Sequence, residues 1–242
     1  MAKVDKSKAA TDLDREFVNV FRQLSLKHGA HNVWDDFIVM SACSISNMVS
    51  KNGRKKRDEL YEKAKSNYDE DEFELICGLL GITIAALNEN EEQDYLGRIY
   101  QMLSLEIKSL GQVFTPYHIA ELMAKLTMGN VAEEVKEKGY LSICDPTCGS
   151  GALLIAGFNE TKRQLERCGM TCQGHILMAG QDIDIVTALA CYTQLSLLGV
   201  PGYVKVGDSL SSPMTKEDSL NNYWFTPMYI LGGWNSRAQR II

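Results

Sequence analysis

Three short apolar segments each run into an aspartate: "YLSICD" ends at Asp145, "HILMAGQD" at Asp182 and "YVKVGD" at Asp208. An ionised carboxylate only accepts hydrogen bonds, so acids gathered at one rim suit a ligand that donates through hydroxyls and amines. Directly after the first acid comes "PTCGSG", in which Gly149, Ser150 and Gly151 offer backbone that a ligand can approach without meeting a Cβ. Two phosphate-binding readings weaken here. A dinucleotide fingerprint would want a third glycine where Leu154 stands, and no Gly-Lys-Ser/Thr follows for a P-loop.

S-adenosylmethionine has the matching donors: a methionine amine, a ribose diol and an adenine amino group. Its carboxylate needs the opposite partner, and "GQVFTPYHIAELM" upstream can provide one. Thr115 is placed to cap a helix that Pro116 begins, and the free N–H groups of a helix start attract anions. Taken alone, that stretch reads equally as a capped surface helix.

The elements that must position these residues change character along the chain. From 11 to 110 the period is helical. In "TDLDREFVNVFRQLSLKHG", Leu13, Phe17, Val20, Phe21 and Leu24 share one face, Thr11 or Asp12 caps the start, and Gly29 closes it. A second helix after Asn32 buries Trp34, Phe37, Ile38, Ile45 and Met48. "EEQDYLGRIYQMLSLEIKSLG" repeats the pattern through Ile107 and Leu110 and ends at Gly111, giving about five helices in all. From Tyr140 the order becomes strand–helix–strand–helix–strand, with helices closed by Gly169 and Gly199. That order predicts half of a doubly wound α/β sheet with parallel strands, whose ligands sit at the carboxyl ends. The expected division is a helical domain at 1–110 and an α/β domain at 111–242.

The bulk numbers narrow the setting. The net charge is −6, from 25 Lys+Arg against 31 Asp+Glu, so there is no global attraction to nucleic acid or anionic membrane. No apolar run is long enough to span a bilayer, and the N-terminus has no signal-peptide core. Seven cysteines, an odd count, favour reduced thiols in a cytoplasm. Cys144/Cys148 and Cys168/Cys172 near His175 invite a metal reading, but the spacing is unusual for zinc and Cys144 belongs to an expected buried strand, so no metal is assigned.

Four segments, "GQVFTPYHIAELM", "DPTCGSGALL", "GQDIDIVTALACYTQLSLLG" and "VGDSL", resemble in order the cofactor motifs of N6-adenine DNA methyltransferases. The likeness is nearest to modification subunits of type I restriction systems, good over about 111–210 and looser over the helical region. It implies a Rossmann-like, S-adenosylmethionine-dependent methyltransferase sheet preceded by a helical domain, and transfer of a methyl group to adenine N6 in DNA. It further implies that Phe114 and Thr115 line the methionine end, with Gln112 and Pro116 beside them. Asp145 would hold the amine side and Gly149, Ser150 and Gly151 the floor. Asp182 would take the ribose hydroxyls with Ile183 next to it, and Asp208 would face the adenine amino group.

The family pattern also includes an Asn/Asp/Ser-Pro-Pro-Tyr/Phe tetrapeptide, which this sequence lacks. That motif presents acceptors to the target amine and an aromatic ring to the flipped base. The nearest match is Thr226-Pro227-Met228-Tyr229, in which Thr226 and Pro227 would be the acceptors and Tyr229 the stacking face. Thr226 offers only a hydroxyl, so a cofactor-binding subunit with impaired catalysis, acting through a partner chain, is the rival expectation. The rest of a seven-stranded sheet and a target-recognition domain do not fit before Ile242. Either "NNYWFTPMYILGGW" or a partner, a specificity or methylase subunit or a second copy, is expected to cover the open sheet edge. DNA binding is then weak or partner-dependent. The run "KNGRKKR" at 51–57 is the one local phosphate-binding candidate, and a solvated loop explains it equally well.

Overall fold

A computed structural model describes residues 11–51, 53–105, 115–215 and 217–237 of the 242. Helix α1 (Asp12–His28) opens with a reciprocal cap: Asp14 N–H donates to Thr11 Oγ1 and Thr11 N–H to Asp14 Oδ2. Asp14 is fully buried and paired with Arg98 of α5 (Tyr95–Met102). Burial opposes ionisation of Asp14, but Arg98 and Thr11 outweigh it and hold the carboxyl below its usual range.

Gly29 ends α1, and α2 (Ala30–Val49) starts at once, earlier than expected. Its Trp34, Phe37, Ile38 and Ile45 are buried as expected, whereas Met48 is exposed. Helices α3 (Arg54–Lys65) and α4 (Glu70–Glu89) complete the first half. Residues 54–57 of the basic run form the first turn of α3 rather than a loop, and Arg57 is buried. Helix α5 is shorter than its apolar period suggests. Ser104 takes a left-handed φ of 55°, with Ser104 N–H bonded to Gln101 O and Leu105 N–H to Tyr100 O, a turn that ends a helix. Ile107 and Leu110 lie outside the described residues.

Helices α6 (Tyr117–Thr127) and α7 (Val131–Lys138) lead into β1 (Leu141–Asp145), α8 (Ala152–Arg167), β2 (Ile176–Asp182), α9 (Ile185–Leu197) and β3 (Gly202–Val206). β1 pairs with β2 and β2 with β3, both parallel, which is the Rossmann-like order expected. A three-residue strand, β4 (Tyr223–Phe225), joins β3 antiparallel and supplies the edge strand sought in "NNYWFTPMYILGGW". Short helices α10 (Pro227–Leu231) and α11 (Trp234–Arg237) follow.

Helices α8 and α9 cover one sheet face, burying Ile176, Met178 and Val204. On the other face Leu177, Ala179, Tyr203 and Tyr223 pack against Tyr229 and Trp234. β1 is not the buried strand expected. Among the described residues its only partner is β2, and Ser142 and Cys144 are exposed. The division at about residue 110 does not separate two cores: Phe17, Trp34 and Tyr95 share one continuous apolar cluster with Leu154, Met178 and Tyr192.

Candidate functional site

The parallel register sets two of the acids side by side at one rim. Asp145 is the last residue of β1, aligned with Gly180 of β2, and Asp182 ends β2 two residues further on. Asp145 Oδ1 accepts from Thr147 N–H at 3.0 Å, which turns the chain out of the strand. Asp182 does more. Its Oδ2 accepts from Gly149 N–H at 2.9 Å and its Oδ1 from Asp184 N–H at 3.0 Å, while its carbonyl accepts from Gly207 N–H at 2.8 Å. One residue thereby ties together the glycine loop, the start of α9 and the end of β3. Burial pushes both carboxyls above the usual aspartate value, and for Asp145 the neighbouring Asp182 charge adds to the effect. Each carboxylate keeps free lone pairs for a donor from outside.

The glycine loop lies between them. Cys148 N–H bonds Gln181 O at 2.9 Å and Gly151 N–H returns to Cys148 O at 2.8 Å. Gly151 enters α8 at a φ of 103°, and a Cβ there would lie 2.9 Å from Cys191 Sγ, so only glycine fits. Ser150 turns its side chain away from the rim. Its hydroxyl is buried and donates to Asp94 Oδ2, so only its backbone is available to a ligand.

Asp208 stands just past β3 and turns on itself, accepting from Leu210 N–H at 2.9 Å and Ser211 Oγ at 2.8 Å. Those bonds hold its carboxyl below the usual range. Its turn is anchored from below by Gln181, whose amide donates to Gly207 O and Ser212 O, and by Lys205, which reaches Ser212, Pro213 and Asp218. Ile183 and Leu210, directly beyond the second and third strands, are 72% and 93% exposed. Two solvent-facing aliphatic side chains at a polar rim are suited to covering a flat ring.

Helix α6 begins at Tyr117, with Pro116 in the cap position rather than the first turn and no side-chain cap from Thr115. Its opening N–H groups are thus not claimed by a capping side chain, as an anion site requires. Gln112 and Phe114 lie outside the described residues.

The expectation for Thr226, Pro227 and Tyr229 is corrected. Thr226 accepts from Gly202 N–H at 3.0 Å and donates to Val200 O at 2.7 Å, which places it at the beginning of β3. Asp208 lies past the other end, roughly 20 Å away at about 3.3 Å per strand residue. The Thr226 hydroxyl also caps α10, Pro227 is that helix's first residue, and the Tyr229 ring is buried 4.8 Å from Phe225. None of the three reaches the acidic rim. Two residues that the sequence reading missed do reach the glycine loop, Asp94 and Gln194. Among the described residues no three metal-ligating side chains cluster, and no helix is long and apolar enough to cross a membrane.

Known proteins give the site a context. A "Type I restriction enzyme MjaVII methylase subunit" of Methanocaldococcus jannaschii is 28% identical over 128 residues, or 52% of this chain. The chain spans only 20% of that relative's length. A crystal structure of a class I S-adenosylmethionine-dependent methyltransferase from Listeria monocytogenes aligns over 84% of this chain and 56% of its own, at 16% identity. Its TM-score is 0.37, so the fold rests on the strand order described above and not on this likeness. The family model for N-6 DNA methylases matches residues 91–238, from the loop before α5 through every strand of the sheet. That is more than half of the chain, and it includes the acids, the glycine loop and α6: the protein belongs to the N-6 DNA methylase family.

Proposed function

We propose that this chain binds S-adenosylmethionine at the carboxyl ends of β1 to β3 and serves methylation of adenine N6 in DNA. The acceptors for the target amine come, in this reading, from outside the described residues. Family membership implies the cofactor, and the residues present fit it. Asp182 retains lone pairs for a ribose diol and Asp145 for an amine, and the start of α6 suits a carboxylate. Ile183 and Leu210 offer apolar cover for the adenine ring, with Asp208 at its amino group. Gly149 and Gly151 let the backbone pass close beneath. When bound, the cofactor supplies a methyl group made electrophilic by a positively charged sulfur. The chain's part is to hold and orient that donor and to leave the strand-end rim open to the base.

The observation that carries the reading is the separation of the two ends of β3. The acids and glycine loop gather at one end, and the only tetrapeptide-like segment is consumed as structure at the other. The finer proposals follow from the relative, which is a methylase subunit: DNA as substrate, and a companion subunit that grips it. A net charge of −6 gives this chain no steering towards DNA of its own. We also keep the proposal of a helical part to about residue 110 and a cofactor part from 111, with α5 packed against both α4 and α9.

The test uses purified chain with labelled cofactor and adenine-rich DNA, beside a Thr226→Asn variant. Cofactor should bind to both proteins and neither should methylate DNA unaided. Removing one strong transition-state hydrogen bond at such a site costs about 10²–10³ in rate, and among the described residues Thr226 and Pro227 do not reach the rim. Robust transfer by the unaided chain would overturn the proposal, and transfer by the variant alone would return Thr226 to the reacting centre.

A further inference from the structure

The glycine loop is held from below by a buried carboxylate of the helical half. Asp94 precedes α5 and caps it, its Oδ1 accepting from Gly97 N–H at 2.9 Å. The side chain is buried, and among the described residues no cation lies within ion-pair distance of it. Its partners are neutral. Ser150 Oγ donates to Oδ2 at 2.5 Å, and Gln194 Nε2 donates to Oδ1 at 2.7 Å. The same Gln194 amide donates to Ser150 O at 2.8 Å, and its Oε1 accepts from Leu96 N–H at 3.0 Å. Three elements distant in sequence, the start of α5, the glycine loop and the middle of α9, thus meet in one closed network.

The network leaves no slack. A Cβ at Gly97 would lie 2.1 Å from Asp94 Oδ2 and 2.4 Å from Ser150 Oγ, so residue 97 must be glycine for the three groups to meet. Burying a carboxylate without a counter-ion is costly unless its hydrogen bonds offset the lost hydration. Packing alone therefore does not account for an acid here. Its position does: Ser150 lies between Gly149 and Gly151, two residues with φ of 55° and 103°. Asp182 grips the first by its N–H at 2.9 Å, and Asp94 grips the serine between them by its hydroxyl.

We propose that Asp94, with Gln194, is the positioning residue of the cofactor site: it touches no ligand and sets the path of the Gly149–Gly151 loop on which the cofactor rests. This inference rests on the cofactor reading above. It makes the helical half part of the binding site rather than an appendage.

Asp94→Asn tests it at constant volume. An asparagine can keep Oδ1 on Gly97 N–H and Gln194 Nε2, but its NH2 then forces the Ser150 hydroxyl to turn from donor to acceptor. The variant thus replaces the charge-assisted bond that holds the loop with a neutral, longer one. Affinity for S-adenosylhomocysteine, measured by calorimetry, should fall about tenfold or more, the usual weight of a charge-assisted hydrogen bond. The melting temperature should hold or rise, because a buried charge is removed. Ser150→Ala should weaken binding similarly, and the double variant should lose little beyond either single one. Unchanged affinity in Asp94→Asn would overturn the proposal. So would a loss no greater than that of a Phe21→Leu control, which loosens the core far from the loop. If the parent chain binds no cofactor, the cofactor reading itself falls, and hydrogen exchange then decides the rest. Faster exchange of the Gly149 and Gly151 amides in Asp94→Asn, at unchanged global stability, supports positioning of the loop, and unchanged exchange refutes it.

Discussion

The charge on Asp182 adds to the cost of ionising Asp145 at the neighbouring strand end. Burial pushes Asp145 above its ordinary value of 3.8, and the Asp182 charge pushes it further. The sign matters for stability. An acid whose pKa is higher in the folded state favours folding while protonated, and that advantage is lost as pH rises through the folded pKa. At neutral pH the ligand-free protein therefore bears a strain that a bound amine would relieve. Asp145→Asn keeps the Thr147 N–H bond and removes the charge. It should raise the melting temperature of the free protein at neutral pH, lose that gain below pH 3.8, and weaken cofactor binding. A lower melting temperature at neutral pH would contradict this. These acids were legible in the sequence because each closes a short apolar run that reads as a strand, although β1 is only partly buried. Asp94 and Gln194 were not. Asp94 reads locally as a helix cap, Gln194 as a polar break in an apolar helix, and neither period nor spacing says that they meet.

Among the elements, the β-α-β-α-β order was readable from the switch in period at Tyr140, and the parallel register follows from it. What could not be read was the direction of β4. The distance from Asp208 to Thr226 suited the family's acceptor motif, but spacing fixes how far the chain travels and not to which end of the sheet. An antiparallel β4 brings Thr226 back to the start of β3. The basic run shows the same limit, since a helical turn splits residues that adjoin in sequence. Lys55 and Lys56 face solvent, while Arg57 donates to Asn47 Oδ1 at 2.8 Å and Ser50 O at 2.7 Å and lies over the Trp224 ring. Arg57→Gln should therefore cost about 1–3 kcal/mol in urea denaturation, because two acceptors lose their donor. Lys55→Gln should stay within about 0.5 kcal/mol. Equal effects would show that Arg57 does not tie α3 to the sheet edge.

In the whole molecule, one apolar cluster runs from the first helices to the sheet face that α8 and α9 cover. Of the first five helices, α2 and α5 pack directly on α9, and β2 carries Asp182 to the rim. The exposed face of β1 and its free edge mark the side on which the described sheet stops. In the proposed function, the cofactor sits at the described strand ends, and the acceptors for an adenine amine and the grip on DNA come from outside the described residues. Everything in that division depends on the ligand sitting at the strand ends, with Asp182 as its chief anchor. The direct measurement is a calorimetric titration of S-adenosylhomocysteine into the parent chain and into Asp182→Ala. The parent should bind one equivalent, and the variant should lose roughly 1.5–3 kcal/mol, the range for hydrogen bonds to a charged group. Equal affinity in the two proteins would contradict the account.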